Sequence, residues 1–292
     1  MMEQEEVLQS LFKNRTGILA TMHKKEEVIS PILEKELGIK TVVPKGFNSD
    51  KYGTFTGDVD RIGGQFEAAR RKAEGALALY NESLAIASEG TFGPHPHIPF
   101  IPFNREVVLL IDKENDIEIS GMAATTETDF KHKRVKNFTD AYEFALSAGF
   151  PETGIVVKVS EHSKDPNEMI KGITTKENLE KAVLYALEES ADNEIFLETD
   201  MRALYNPKRM KNIEAATRDL VKNITSLCPS CQWPGFKITD RTKGLPCKWC
   251  KKPTQLTLSY HYNCSKCGYS EEEKYPEGIK EADPGNCQYC NP

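Results

Sequence analysis

Cysteine is absent from this chain until Cys228, which excludes a disulfide framework for most of its length. No apolar run approaches the ~18–20 residues needed to span a bilayer, so no membrane partner is expected. The opening residues, MMEQEEVLQSLFKNRTG, lack the positive start and apolar stretch of a secretory signal. Positive charge is not in excess either. Lys and Arg number 38 against 44 Asp and Glu, giving a net charge of −6 and an isoelectric point near 5.7. That balance argues against a general polyanion binder, so nucleic acid is not an expected partner. These absences describe a cytoplasmic protein without low-complexity segments.

What is present is concentrated at one end. All eight cysteines form four C-x-x-C pairs, Cys228/Cys231, Cys247/Cys250, Cys264/Cys267 and Cys287/Cys290, separated by 15, 13 and 19 residues. A C-x-x-C knuckle turns two thiolates toward one point, and two knuckles complete a tetrahedral Cys₄ zinc site. Disulfides are the alternative, but they explain neither the strict pairing nor the confinement to one end. Sequential pairing gives two ribbons, Cys228/231/247/250 and Cys264/267/287/290. The tail has scattered apolar residues and recurrent Gly and Pro, so metal must supply its folding free energy, roughly 10 kcal/mol or more per site. Full Cys₄ ligation leaves no open position, so both Zn²⁺ ions are structural. The module's expected roles are docking a protein partner or self-association. Its first half is locally basic (Lys237, Arg241, Lys243, Lys248, Lys251, Lys252), and Glu271–Glu273 offset this in the second.

The remainder reads as an α/β domain, a mixed sheet flanked by helices. Residues 1–15 are an N-terminal extension, 16–170 the α/β domain, 171–227 a helical segment that completes or links it, and 228–292 the double zinc ribbon. Thr16–Thr21 reads as a strand, Glu26–Leu37 as a helix and Ile39–Val43 as a second strand. A long amphipathic helix is expected over Arg61–Tyr80 and a buried strand over Leu84–Ala87. Glu106–Asp112 and Ile117–Ala124 form a hairpin. Phe138–Ala148, Lys176–Ala191 and Pro207–Ile224 are helices, with short strands at Gly154–Val159 and Ile195–Arg202.

Chemistry-bearing residues gather in three stretches. The strand-to-helix turn Thr21-Met22-His23-Lys24-Lys25 offers helix N–H groups and two lysines, which suit a phosphate. The long helix carries Phe66-Glu67-Ala68-Ala69-Arg70-Arg71-Lys72-Ala73, preceded by a Gly-punctuated loop over residues 50–58 that permits close approach to a ligand. The third stretch is Ser88-Glu89-Gly90-Thr91, a carboxylate at the end of a buried strand, where α/β proteins place ligands. His95 and His97 follow and read as ordered loop histidines.

Taken together, these stretches resemble the inosine-triphosphate pyrophosphatase superfamily, the house-cleaning nucleotide phosphohydrolases, over residues 16–125. The family's helix pattern Phe-x-Glu-Asn-Ala-x-x-Lys-Ala is matched at Glu67, Ala69, Lys72 and Ala73, with Ala68 in place of asparagine and Phe66 one residue closer to the glutamate than the pattern has it. In its first turn, Thr-x-Asn-x-x-Lys, His23 takes the asparagine position and Glu26 the lysine position, with Lys24 and Lys25 as substitutes. The resemblance implies an ITPase-like fold and a Mg²⁺-dependent nucleoside triphosphate pyrophosphohydrolase acting on non-canonical purine nucleotides. Glu67 and Glu89 would ligate Mg²⁺ and, with Lys72, form the catalytic set. Thr21, His23, Lys24, Lys25, Gly90 and Thr91 would bind the substrate. Asp58, Arg61, Glu127 and Asp129 are further candidates, and Asp200 and Arg202 either complete the pocket or pair at a helix end. The alternative is a non-catalytic nucleotide-binding protein whose zinc tail docks a partner. The chain as a whole also resembles an uncharacterised bacterial domain family, which carries no activity with it.

Overall fold

The computed structural model describes residues 2–54, 56 and 59–291, so the candidate Asp58 lies outside the described residues. The chain divides into two compact units. One runs over Leu11–Val221, and the other joins the N-terminal residues up to Ser10 to the chain from Lys222 onward. Among the described residues no helix is long and apolar enough to cross a membrane. The expected N-terminal extension begins with a helix, α1, over Met2–Phe12.

The main unit holds two sheets where one was expected. Strands β1 (Thr16–Ala20), β2 (Lys40–Val42), β3 (Leu84–Pro94), β4 (Pro102–Asp112) and β5 (Ile117–Thr125) form the first, in the order β2-β1-β3-β4-β5. β1 runs parallel to β2 and β3, and β3 to β5 form an antiparallel meander. Helix α2 (Glu26–Leu37) connects β1 to β2 with the bounds its periodicity dictates. Helix α3 (Gln65–Leu77) is shorter than the sequence suggested. It lays the small residues Ala69, Ala73 and Ala76 against Ile18, Ala85, Ala87, Leu109 and Ile111. Because α3 starts at Gln65, Arg61 stands in the preceding loop.

The second sheet is antiparallel, in the order β6-β9-β7-β8, from β6 (His132–Val135), β7 (Ile155–Lys158), β8 (Met169–Ile173) and β9 (Ile195–Thr199). Helices α4 (Phe138–Ser147) and α5 (Lys176–Glu189) cover it through Phe144, Phe150, Leu179, Val183 and Leu197. The segment after residue 170 is therefore not simply helical: the expected boundary cuts through β8, and β9 sits inside the sheet between β6 and β7. The expected strands at Gly154–Val159 and Ile195–Arg202 coincide with β7 and β9, whereas β6 carries little apolar signal and β8 is interrupted by Lys171 and Gly172, so neither stands out in the sequence.

Helix α6 spans Pro207–Thr225 and is capped by Asn206, whose Oδ1 accepts the Arg209 N–H at 2.9 Å. It lies directly on β5 at Gly121, where any Cβ would come within 2.0 Å of the Leu220 nitrogen and 2.3 Å of the Ala216 carbonyl oxygen. Asp219 Oδ2 accepts the neighbouring Met122 N–H at 2.8 Å. This close approach fixes the helix and presents its first turn to the cavity described below.

The tail carries a three-stranded antiparallel sheet, β10 (Lys237–Lys243), β11 (Thr257–Asn263) and β12 (Ser270–Lys274), in that order. Its apolar core is small: Phe236 with Cys228 and Cys264, and Trp233 and Tyr262 packed against them.

Candidate functional site

The length mismatch between β1 and β3 creates the site. β1 ends at Ala20, opposite Ala87, whereas β3 continues to Pro94 with β4 alone as its neighbour. The carbonyls of Ser88, Glu89 and Gly90 accept from side chains instead: Lys25 Nζ at 3.4 Å, Gln65 Nε2 at 2.6 Å and an Arg61 guanidinium nitrogen at 2.7 Å. A cavity of about 340 Å³ opens there, lined by the β1–α2 turn, the loop over residues 49–61, β3 and parts of the second sheet. This is the C-terminal end of a parallel strand, the usual ligand position in α/β folds.

Its wall is densely charged. Six cationic side chains line it (Lys25, Arg61, Lys72, Lys171, Arg202 and Arg209) against three carboxylates (Asp50, Glu89 and Glu198). Glu89 is buried on β3 and is held by Lys72 through one oxygen and by Arg61 through the other at 2.7 Å. Burial alone would raise its pKa, but Lys72, Lys25 and Arg61 outweigh this and hold it below the ordinary carboxylate value. Lys25 is 5% exposed, and its Nζ donates to Ser88 Oγ at 2.9 Å. Among the described residues it forms no ion pair. Burial, with Arg209 and Lys72 nearby, pushes its pKa down to about 7.

His23 pairs with Asp50 at 2.9 Å, and burial lowers its pKa, so the imidazole is neutral near pH 7. Glu198 is matched by Lys158 at 2.9 Å, yet burial still raises its pKa. Lys171 Nζ donates to Thr56 Oγ1 at 2.6 Å. Arg209, delivered by α6, pairs with the fully buried Glu106 at 2.9 Å and also donates to the Met201 carbonyl. Asn104 Nδ2 donates to the same Glu106 oxygen at 3.0 Å.

The structure brings most sequence-derived candidates together. Thr21, His23, Lys25, Lys72, Glu89, Gly90 and Thr91 all line the cavity, as do Arg61 and Arg202. Gly90 serves chiefly as space: a Cβ there would stand 2.4 Å from Glu106 Oε1 and 2.6 Å from an Arg209 nitrogen. Lys24 does not join them. It points outward and approaches Glu27 at 3.7 Å. Asp200 sits behind the wall, pairing with Arg202 at 2.6 Å and accepting the Gly172 N–H at 3.0 Å. Glu127, Asp129, His95 and His97 lie outside the lining. Asp129 instead holds Lys208 at 2.5 Å, and His95 stacks edge-on against Phe103.

Glu67 is the main departure. It is half exposed and tied to Arg71 at 3.0 Å and Arg70 at 3.2 Å, outside the cavity. The buried face of α3 runs through Gln65, Ala68, Ala69, Lys72, Ala73 and Ala76, which turns Glu67 to solvent. The expected pair of magnesium carboxylates is therefore not assembled. Both Glu89 oxygens face cations, so the residues present do not fit a Mg²⁺ ion. Arg209, Lys171 and Glu198 went unrecognised in the sequence, because they reach the cavity from distant elements and share no spacing motif.

The eight cysteines form two clusters: Cys228, Cys231, Cys264 and Cys267, and Cys247, Cys250, Cys287 and Cys290. The four sulfurs of each lie within 4.8 Å of one another. Sulfur–sulfur distances of 3.8 Å (Cys228–Cys267), 3.6 Å (Cys231–Cys264), 3.8 Å (Cys247–Cys290) and 3.7 Å (Cys250–Cys287) far exceed a disulfide. They match the ~3.8 Å edge of a tetrahedron with ~2.3 Å zinc–sulfur bonds. The donor set thus fits two structural zinc ions. In each knuckle the first cysteine's carbonyl accepts the N–H four residues on, at Gln232, Lys251, Gly268 and Asn291.

The pairing corrects the sequential expectation, because the clusters interleave. The β10–β11 hairpin explains why. Its register sets Lys237 against Asn263, which brings the first knuckle beside the third, and Lys243 against Thr257, which leaves the second knuckle at the other end. A parallel bridge between Cys247 and Ala282 then brings the last knuckle to the second.

Among curated proteins none matches the chain significantly. A family model does match it, over residues 72–292, which include Lys72, Glu89, Arg209 and every cysteine. The chain belongs to the family described as "Domain of unknown function (DUF6671)".

Proposed function

We propose that the main unit binds a small phosphorylated molecule in the cavity beside β3. The observation that carries this reading is the density of cations: six line the cavity against three carboxylates, with Asp200 and Glu106 behind the wall as partners of Arg202 and Arg209, in a chain whose net charge is −6. Lys72 and Arg61 share the single carboxylate Glu89, so an anion would bring the wall toward neutrality. Thr21, Ser49 and Thr91 add hydroxyl donors around it. A nucleotide fits this chemistry and agrees with the phosphohydrolase resemblance of the Lys72 and Glu89 motifs. Hydrolysis of a nucleoside triphosphate is the further step that resemblance implies, with Glu89 as its buried acid.

The test is calorimetric titration of the full chain with inorganic phosphate, pyrophosphate and nucleoside mono- and triphosphates, alongside pyrophosphate release with and without Mg²⁺. Binding that weakens at least tenfold in Arg61→Gln and falls with added salt is expected. If no phosphorylated probe binds, the reading fails. Turnover of a bound nucleotide would extend binding to catalysis.

The zinc tail is read as a docking or self-association module, for which its two rigid clusters supply a scaffold. Size-exclusion chromatography coupled to light scattering, with and without residues 228–292, tests self-association directly.

A further inference from the structure

We propose that Lys25 forms an imine with a phosphorylated aldehyde or ketone, so that the substrate class is a compound carrying a carbonyl a few bonds from its phosphate. This rests on the phosphate-binding reading of the cavity and names the chemistry performed there.

The argument starts from what Lys25 lacks. A buried ammonium normally has a carboxylate partner, because desolvation otherwise disfavours its charge. Four other cations in the wall have one: Lys72 and Arg61 on Glu89, Arg202 on Asp200, and Arg209 on Glu106. Among the described residues Lys25 bonds Ser88, through its hydroxyl at 2.9 Å and its carbonyl at 3.4 Å, and forms no ion pair. Burial first, then the like charges of Arg209 and Lys72, outweigh the attraction of Glu106 and Glu89 and push its pKa down to about 7. A neutral amine is a weak phosphate clamp but a competent nucleophile, and burial beside other cations is how an amine is activated for carbonyl attack.

The surroundings supply the rest. Arg61 reaches Gly90 and Thr91 while Lys25 reaches Ser88, so the amine and an anion-binding guanidinium are spread over a few residues of one strand, roughly 10 Å at most. In the step proposed, the neutral Nζ attacks the carbonyl carbon and a C–N bond forms. The carbonyl oxygen then leaves as water with the two amine hydrogens, giving the C=N bond without any change of oxidation state. Ser88 Oγ, already bonded to Nζ, is placed to relay a proton to that oxygen.

The experiment uses pyridoxal 5′-phosphate as a probe, because it is both an aldehyde and a phosphate ester. The full chain is incubated with one equivalent, reduced with borohydride, and read by intact mass and peptide mapping. A single adduct mapping to Lys25 is expected. Excess inorganic phosphate should suppress it at least tenfold, and non-phosphorylated pyridoxal should give far less. Lys25→Arg, which keeps a cation but no nucleophilic amine at this position, should lose the adduct. Adducts spread over surface lysines, equal in wild type and variant, would overturn the proposal, and mapping on the wild type decides this even if the variant misfolds. Phosphate binding without a Lys25 adduct removes only the imine step. Absence of phosphate binding removes the underlying reading.

Discussion

The two compact units handle polar groups that cannot stay in water in opposite ways. In the tail, eight thiols close around two points, and each knuckle is a local structure made by a few consecutive residues. In the main unit the charges that meet around β3 arrive from α2, α3, the loop before α3, the second sheet and α6. The tail's chemistry is short-range and metal-dependent, with a small apolar core built around Phe236. The cavity depends on a large core that holds unlike charges in opposition. Stability in the first should follow metal, and in the second the balance of charge.

Removing zinc should have the largest effect. Each structural ion contributes roughly 10 kcal/mol or more, so chelation is expected to unfold the tail and expose residues 228–292 to protease. Two zinc ions per chain are expected by elemental analysis. Cys228→Ser sharpens the test of pairing: Cys231, Cys264 and Cys267 should become alkylatable while Cys247, Cys250, Cys287 and Cys290 stay protected. Exposure of Cys247 and Cys250 instead would restore sequential ribbons.

Breaking a buried pair in the main unit comes next. Arg209→Met leaves Glu106 buried without its cation, since Glu106 is fully buried and its Oε2 already lacks a hydrogen-bond partner. A loss of about 3–5 kcal/mol in urea unfolding is expected. A loss below about 1 kcal/mol would show that the pair does not hold α6 in place.

Lys25 should move in the other direction. Its folded-state pKa of about 7 lies below the ordinary 10.5, so between those values the unfolded chain holds the extra proton. Stability from this group therefore rises with pH across that window, and the penalty is full below it. Lys25→Met is expected to raise stability at neutral pH by a few kcal/mol and to flatten the profile between pH 7 and 10. An unchanged profile would contradict the burial of a charge-deprived amine.

The smallest effect is expected at Glu67. Its pairs with Arg70 and Arg71 are solvent-exposed, so Glu67→Gln should cost under about 1 kcal/mol and leave phosphate affinity unaltered. A tenfold loss of affinity would return Glu67 to the site.

Much of the cavity was legible because three of its segments are contiguous. Thr21, His23 and Lys25, Lys72, and Ser88-to-Thr91 mark strand ends and a helix face, and all reach the same space. Glu67 was misplaced because motif matching does not fix helix phase as burial does, and Ala68, Lys72 and Ala76 turn it outward. Arg209 and Glu198 carried no signal, because nothing local ties them to β3. In the second sheet β7 and β9 were legible as short apolar runs, whereas the four-residue β6 and the Gly-interrupted β8 were not.

By itself the sequence determined the four cysteine knuckles whose geometry fits zinc, the α2 helix bounds and the lysine-and-acid character of the cavity, because spacing and periodicity are local properties. Which knuckle pairs with which, which side chains face Glu89 and which face solvent were settled only in the tertiary structure. Strand register, helix phase and the close approach at Gly121 are set by contacts between residues far apart in the chain.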